Sequence, residues 1–584
     1  MSYKILSQQC LIAVFVAALF SSCSKGSSDS DNPNPGGGDD DNIVPPTEVA
    51  ASATSGFFMN DWAPRKFTAP QYDFITAPLT RETIKITADY SQSVAKVSKY
   101  IFGNNANPYI GQMVTEPVLL GHLKELSPNI IRFPGGNISS IYFWNRNPGA
   151  KPADAPDKLL YDNNSVDAGY WFGNNNEGWT LSVNNYYNML SQIGSTGIIT
   201  VNYSYARYGT SDHPDRVAAH LAADWVRADK GKTKFWEIGN ESSGPWQAGY
   251  KIDVSKNKDG QPEIITGTIY GKHFKVFADS MRKAATEVGA QIKIGAQLVQ
   301  YDATNSWNVT DRTWNAEYFA AAGDYADYYI IHDYYTPIGS NTSADEILNS
   351  AVKISKDNMD RVKASMQQGG VLQKPIALTE WNIGAEGNKQ MISNLNGLHA
   401  AIVLGELVKN NYGMASRWDI GNGYNNGNDM GSFSMGDDGD GVTKWSPRPS
   451  FYYMYYFQKC FGDRMFSSSV SGSNPNILTY ASSFSDGGDA GLVLVNKGTS
   501  SEMASVELKN FKPGARYYYY VLQGGEGGDF SRKVLVNGQG PSAPGGGPLN
   551  YSSLKARSAK LPSSSVKLEL PARSVVYLIM EKAK

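Results

Sequence analysis

Cysteine is scarce in this chain of 584 residues: there are three. Cys10 and Cys23 fall in a leader-like segment, which leaves Cys460 alone in the body. A lone cysteine excludes a disulfide within the folded part and reads as a small buried side chain. An excess of either charge is also missing. Lys and Arg number 53 against 55 Asp and Glu, a net charge of -2. That balance recommends neither nucleic acid nor an anionic membrane surface as a partner. Histidine is rare too, at six, so a histidine at a strand end carries information. What the chain has in quantity is aromatic residues, 12%, and 58 glycines, which imply many loops and turns. Its length suits one large domain with one or two smaller ones.

The first residues form a unit of their own. Lys4 precedes an apolar run from Leu11 to Phe20, then Ser21-Ser22-Cys23. Residues 1–22 are expected to be a signal peptide, too short for a transmembrane span. Small residues before a cysteine resemble the lipobox of bacterial lipoproteins. That resemblance implies cleavage before Cys23 and acylation of it; ordinary secretion with cleavage nearby is the alternative. Residues 24–45 are nearly all Ser, Gly, Pro, Asn and Asp. With no apolar face to bury, 23–47 is expected to be a flexible acidic tether. Such a tether resembles the surface-export signal of Bacteroidetes lipoproteins. The implied location is the outer membrane, lipid-anchored and surface-exposed, with the periplasmic face left open. Membrane contact is then through the lipid alone.

From residue 97 to 462, buried-strand patterns alternate with segments able to hold helices. The expected strands are Val97–Phe102, Asn129–Phe133, Gly197–Asn202, Phe235–Ile238, Ile292–Ala296, Tyr328–His332, Pro375–Glu380 and Ala415–Ile420. Helical spacing marks 116–126, 183–193, Val217–Val226, 270–288, Phe319–Ala322, 343–367 and Phe451–Phe461. This predicts a (β/α)8 barrel over 97–462. Short β-rich runs separated by Gly, Ser, Asn and Pro fill 463–584 and predict an antiparallel β-sandwich. The segment 48–96 is expected to contribute to that sandwich through residues 83–96.

Two strands end alike. Phe235-Trp236-Glu237-Ile238 breaks at Gly239 into Asn240-Glu241, and Pro375-Ile376-Ala377-Leu378-Thr379 ends at Glu380. A carboxylate pair at the C-terminal ends of parallel barrel strands suits retaining sugar hydrolysis. Glu241 is expected to be the acid/base and Glu380 the nucleophile. Arg132, before Pro134-Gly135-Gly136-Asn137, is placed to bind a sugar hydroxyl, to orient a carboxylate, or to form a structural ion pair. His332 stands at another strand end, followed by Asp333-Tyr334-Tyr335. The long stretch 138–181, with Trp144, is either a cleft wall or plain loop packing, and the same choice holds for Trp246. The residues expected to bind substrate are Asn240, Arg132, Asn137, Trp144, Trp246, His332, Tyr334, Trp381 and Trp418. No metal or organic cofactor is required, and the Gly- and Asp-rich loop 421–445 lacks the EF-hand pattern.

The motifs Arg132–Asn137, Trp236–Glu241, His332–Tyr335 and Thr379–Asn382 resemble those of clan A retaining glycoside hydrolases, on the α-L-arabinofuranosidase and β-glucuronidase side of that clan. The resemblance covers residue 97 to the C-terminus. It implies a barrel with a β-sandwich beside it. It further implies that Asn240 bonds the sugar hydroxyl next to the reacting carbon, and that His332 and Tyr334 fix the nucleophile side. The expected partner is a plant or algal polysaccharide or its oligosaccharides. A non-catalytic glycan-binding surface lipoprotein on the same scaffold is the alternative. A polysaccharide lyase fits less well, since it would use a Tyr, His or Lys base.

Overall fold

The computed structural model describes residues 43–161, 164–385, 387, 389–425, 429–439, 441–561 and 563–584. The signal peptide, Cys23 and most of the tether lie outside the described residues. Thr47 N–H already bonds Ser91 O at 3.0 Å, so the end of the stretch expected to be tether runs along the sandwich. Among the described residues, no helix is long and apolar enough to cross a membrane.

Eight parallel strands close into a barrel. They are β1 (Gly103–Asn105), β2 (Ile130–Phe133), β3 (Thr196–Val201), β4 (Phe235–Ile238), β5 (Lys293–Gln297), β6 (Tyr328–Tyr334), β7 (Ile376–Asn382) and β8 (Met414–Arg417). Each runs in register beside its sequence neighbour, and β8 closes on β1 through Ser416 and Gly103. The helices between and after them are α1 (Pro117–Leu126), α2 (Val183–Ile193), α3 (Pro214–Asp229), α4 (Gly267–Glu287), α5 (Trp314–Ala322), α6 (Ala344–Gln368), α7 (Asn394–Lys409) and α8 (Pro449–Cys460). Local chemistry sets several of their ends. Ser343 caps α6 in a full capping box with Glu346, satisfying backbone donors that would otherwise be orphaned. Pro214 opens α3, where its missing N–H costs nothing.

Two expectations needed correction. The first strand was placed at Val97–Phe102, but Lys99–Ile101 is a 3-10 turn, and the strand is the Gly-Asn-Asn that follows. The segment 48–96 also does more than feed the sandwich. Gly56–Met59 turns under the barrel, where Phe58 packs on Tyr100, Phe235 and Tyr328. The N-terminal end of the barrel is thereby plugged with aromatic rings, and the cavity opens at the C-terminal end of the strands.

The second body is an 11-stranded, largely antiparallel sheet that closes on its own apolar core, including Ile86, Leu492, Val506, Leu568 and Leu578. Ile84–Lys96 enters it between Arg464–Val470 and Glu502–Lys509. The sheet packs on the barrel through α7 and α8. Tyr480 Oη donates to Glu406 at 2.9 Å, and Tyr577 Oη donates to Tyr453 O at 2.7 Å.

Candidate active site

A cavity of about 660 Å³ opens at the C-terminal end of the strands, lined by Glu241, Glu380, His332, Tyr334, Asn137, Trp246 and Trp418 among others. Backbone geometry aims the carboxylates. At the end of β4, Gly239 has φ +81° and Glu241 itself φ +43°. A left-handed conformation at a glutamate costs about 1–3 kcal/mol and is tolerated where its surroundings over-determine it. A Cβ on Gly239 would meet Ser242 Oγ at 2.7 Å and Tyr203 Cβ at 2.8 Å. On the other side, the β6–β7 register shifts between Ile331 and His332, so that His332 pairs with Glu380 instead of Thr379. The irregularity at Thr379 turns Glu380 into the cavity.

The two carboxylates meet across one hollow. His332 Nδ1 lies 3.1 Å from Glu241 Oε1 and 3.7 Å from Glu380 Oε1. One donor atom from each of these three residues falls within 4.8 Å of the other two. Tyr334 Oη donates to Glu380 Oε2 at 2.9 Å, and Trp246 Nε1 donates to Glu241 Oε2 at 2.6 Å. The Glu380 side chain is 4% exposed, whereas Glu241 is 23% exposed toward the cavity.

Arg132 lies at the floor, fully buried. Its Nη1 donates to Glu380 Oε1 at 2.7 Å, its Nε to Glu237 Oε2 at 2.6 Å and its Nη2 to Asn240 Oδ1 at 2.7 Å. In this geometry Arg132 bonds two carboxylates through buried ion pairs. Burial opposes charge on Arg132, but Glu237 and Glu380 more than offset it and raise its pKa.

The same balance is struck differently at each acid. Burial raises the Glu380 pKa, and the Glu241 charge adds to that, against the pull of His332, Arg132 and Tyr334. Burial also acts on Glu241, yet the hydrogen bond and charge of His332, with Trp246, bring it below the usual carboxylate range. Burial lowers His332, and Glu380 and Glu241 outweigh it. Both carboxylates thus favour a protonated imidazole between them, against its burial.

The remaining expected residues divide. Asn137 Oδ1 accepts from Gln247 Nε2 at 2.7 Å, and Gln247 Nε2 also reaches Glu241 Oε2 at 3.3 Å. Trp418 lies over Gly136, where a Cβ would come within 2.4 Å of the ring. Asn240 turns its Oδ1 to Arg132, while its Nδ2 is buried without a protein partner. Trp144 and Trp381 are corrections, since neither lines the cavity. Trp144 Nε1 donates to Leu221 O, and its ring stacks on Trp225 at 5.4 Å. Successive strand residues face opposite ways, so Trp381 points away from Glu380 into the layer holding Leu404 and Met454.

Sequence reading missed Glu237, Gln247 and the Asp419 cluster. Glu237 stood inside a quoted motif; its signal was a carboxylate within an otherwise apolar strand. Asp419 Oδ2 accepts from Asn107 Nδ2 at 2.6 Å and from Asn422 Nδ2 at 3.2 Å, and both amides line the cavity. Burial and nearby Asp429 push the Asp419 pKa well up. In the acidic loop, oxygens of Asp429, Asp437 and Asp438 lie within 4.8 Å of one another. Arg448 Nη2 bonds Asp429 at 2.5 Å and Asp438 at 2.7 Å, and Arg532 Nη2 bonds Asp438 at 2.7 Å. Basic side chains thus supply the counter-charge there. Asp440 lies outside the described residues.

A parallel barrel with a carboxylate pair at the ends of β4 and β7, and a β-sandwich at its side, defines a class of architecture. Comparisons with known proteins fall in one part of it. The family described as alpha-L-arabinofuranosidase 1 domain matches residues 122–351. An intracellular exo-alpha-(1->5)-L-arabinofuranosidase of Halalkalibacterium halodurans is 24% identical over 335 residues, 53% of this chain and 60% of that protein. Its namesake in Acetivibrio thermocellus is 25% identical over 331 residues, 52% of this chain and 59% of that protein. The chain spans about 60% of the length of these relatives. Among solved structures, an alpha-L-arabinofuranosidase from Thermotoga maritima, in complex with arabinose, superposes with a TM-score of 0.58 at 17% identity, over 85% of this chain and 100% of that one. The chain thus resembles the clan A retaining glycoside hydrolases, close to the arabinofuranosidase families, as its motifs indicated. One expectation is overturned. These relatives are named intracellular, against the outer-membrane, lipid-anchored location inferred from the leader. That inference rested on the leader and tether, residues 1–47, most of which lie outside the described residues.

Proposed function

We propose that this protein is a retaining glycoside hydrolase that removes arabinofuranosyl units from a plant polysaccharide or its oligosaccharides. The carrying observation is the approach of Glu241 and Glu380, each with an oxygen within 4.8 Å of the other's, across one cavity. Retaining enzymes hold their two carboxyl groups about 5–5.5 Å apart, and inverting ones leave room for a water at about 6.5–9.5 Å. The names of the matched relatives support the choice of sugar.

Glu380 attacks the anomeric carbon. Its charge is stabilised by two donors, Arg132 Nη1 and Tyr334 Oη. Glu241 protonates the leaving oxygen, then takes a proton from the water that frees the sugar. Its surroundings lower the Glu241 pKa and raise that of Glu380, the reverse of what the first step needs. His332 resolves this: its Nδ1 is 3.1 Å from Glu241 Oε1. When a sugar excludes water from the cavity, the proton passes from the imidazole to Glu241, so that His332 is neutral and Glu380 stays ionised against Arg132. Asn240 Nδ2, buried and unpartnered, is the donor for the hydroxyl next to the reacting carbon.

Steady-state rates of two variants test this. Glu380→Ala should lose on the order of 10⁴-fold or more in kcat on every substrate. Glu241→Ala should lose about 10²–10⁴-fold on substrates with poor leaving groups and much less on activated aryl glycosides. Equal losses of Glu241→Ala on both would refute the assignment of roles. Binding of glycans by a wild-type chain with no turnover would favour the binding-protein reading.

A further inference from the structure

Trp307 is the most exposed tryptophan of the described residues, at 75%, in the connection between β5 and α5. Its neighbours on either side are not exposed: Ser306 is 9% and Asn308 3% exposed. Both are fastened. Ser306 O accepts from Arg312 Nε at 2.8 Å and from Nη2 at 2.5 Å. Asn308 Nδ2 donates to Ser243 O at 2.7 Å, and its Oδ1 accepts from Tyr250 Oη at 3.1 Å. The backbone is thus pinned to the loop after β4, and the ring between the two pins is left in water. Trp246, itself 45% exposed, lies beside it, so the two rings make one apolar patch instead of a single scattered side chain.

Its place is specific. Trp307 sits 6.3 Å from Trp246, ring centroid to centroid, at 42°, and Trp246 Nε1 donates to Glu241 Oε2. An acid/base must reach the glycosidic oxygen, so a ring bonded to it flanks the leaving group. Trp307 continues that wall outward from Trp246. We infer that Trp246 and Trp307 form a two-ring platform for the sugars on the leaving-group side, with Trp307 binding the unit beyond the first. This rests on the hydrolase reading, and it gives the substrate as an oligosaccharide or chain with at least two sugars beyond the cleaved bond. The sugar's C–H face covers the rings, and its hydroxyls stay in water at the open rim. The bonds at Ser306 and Asn308 hold the backbone that carries Trp307, which reduces the ordering needed on binding.

The test is chain-length dependence with the full chain. Wild type, Trp307→Ala and Trp307→Phe are compared on α-(1→5)-linked arabinofuranosyl disaccharide and pentasaccharide. In wild type, kcat/KM should be higher on the pentasaccharide. Trp307→Ala should cut that ratio about tenfold, through KM, and Trp307→Phe should restore part of it. An unchanged ratio in Trp307→Ala would overturn the platform. A wild-type chain that hydrolyses neither sugar defeats the arabinofuranoside reading instead. Calorimetric titration with the pentasaccharide then decides the platform, and equal affinity of wild type and Trp307→Ala would overturn it.

Discussion

Removing Arg132 should damage the site in a way that depends on pH. Its guanidinium is the buried counter-charge for two carboxylates, Glu237 and Glu380, and it also bonds Asn240 and, at 3.2 Å, Asn105. Arg132→Met keeps most of the volume and removes the charge. Breaking a buried ion pair by deleting one partner costs about 3–5 kcal/mol, roughly 4 °C of Tm for a chain of this length. Glu380, whose pKa burial already raises, then holds its proton more tightly in the folded state than in the unfolded one. Its ionisation therefore opposes folding, and the deficit should grow as pH rises above the unfolded carboxylate pKa of about 4.3. Catalysis should follow the same logic. An adjacent arginine lowers a carboxylate pKa by about 1–3 units, so its loss should move the acidic limb of kcat/KM upward by that amount. Arg132→Lys should recover only part, because a single ammonium cannot reach four partners from one fork. The assays are thermal unfolding and a pH–rate profile on an aryl arabinofuranoside. An acidic limb that coincides with wild type, with unchanged Tm at neutral pH, would refute the reasoning.

Glu237→Gln leaves Arg132 with Glu380 as its one carboxylate partner and should lower the acidic limb, since the charge acting on the nucleophile is then unshared. An upward move would contradict it. Gly136→Ala should weaken substrate binding, read as a raised KM, because φ is +46° and the new methyl would strike Trp418; an unaltered KM would count against Trp418 as a wall. Tyr334→Phe removes one of the two donors to Glu380 and should cost kcat roughly tenfold, which single-turnover rates would detect. Burial holds His273 neutral with a pKa of about 4 and His399 with one of about 3. The unfolded chain takes up those protons, and that of His122, likewise lowered to about 4, as pH falls below about 6.5, so stability should drop between pH 6.5 and 4, by up to roughly 4 kcal/mol per unit. A flat denaturation midpoint over that window would contradict this.

Strands that carry their own preference were readable from the residues. Apart from Arg132, Ile130-Ile131-Arg132-Phe133 and Tyr328-Tyr329-Ile330-Ile331 are β-branched or aromatic, and all are buried, as a parallel barrel requires. β1 was misplaced because Gly103-Asn104-Asn105 has no such preference; it is a strand because β8 and β2 pair with it on either side. Helix α7 escaped notice for the opposite reason. Every residue from Asn394 to Val408 is buried, so no polar face gives it a period. At the site, strand ends placed Glu241, Glu380, His332 and Tyr334, because a barrel brings those ends to one face. Trp144 and Trp381 show the limit of that logic. Closeness along the chain to a catalytic residue says nothing of which side a ring takes, and loop walls depend on partners far away in sequence, such as the bond from Asn308 to Ser243.

The account depends on Glu380 forming a bond to the sugar while Glu241 handles protons. Intact mass spectrometry of Glu241→Ala, incubated with an activated aryl arabinofuranoside and then digested, tests this directly. A pentosyl adduct on the peptide bearing Glu380 is the predicted result. Continued turnover with no adduct and an inverted first product, or an adduct on another residue, would contradict it.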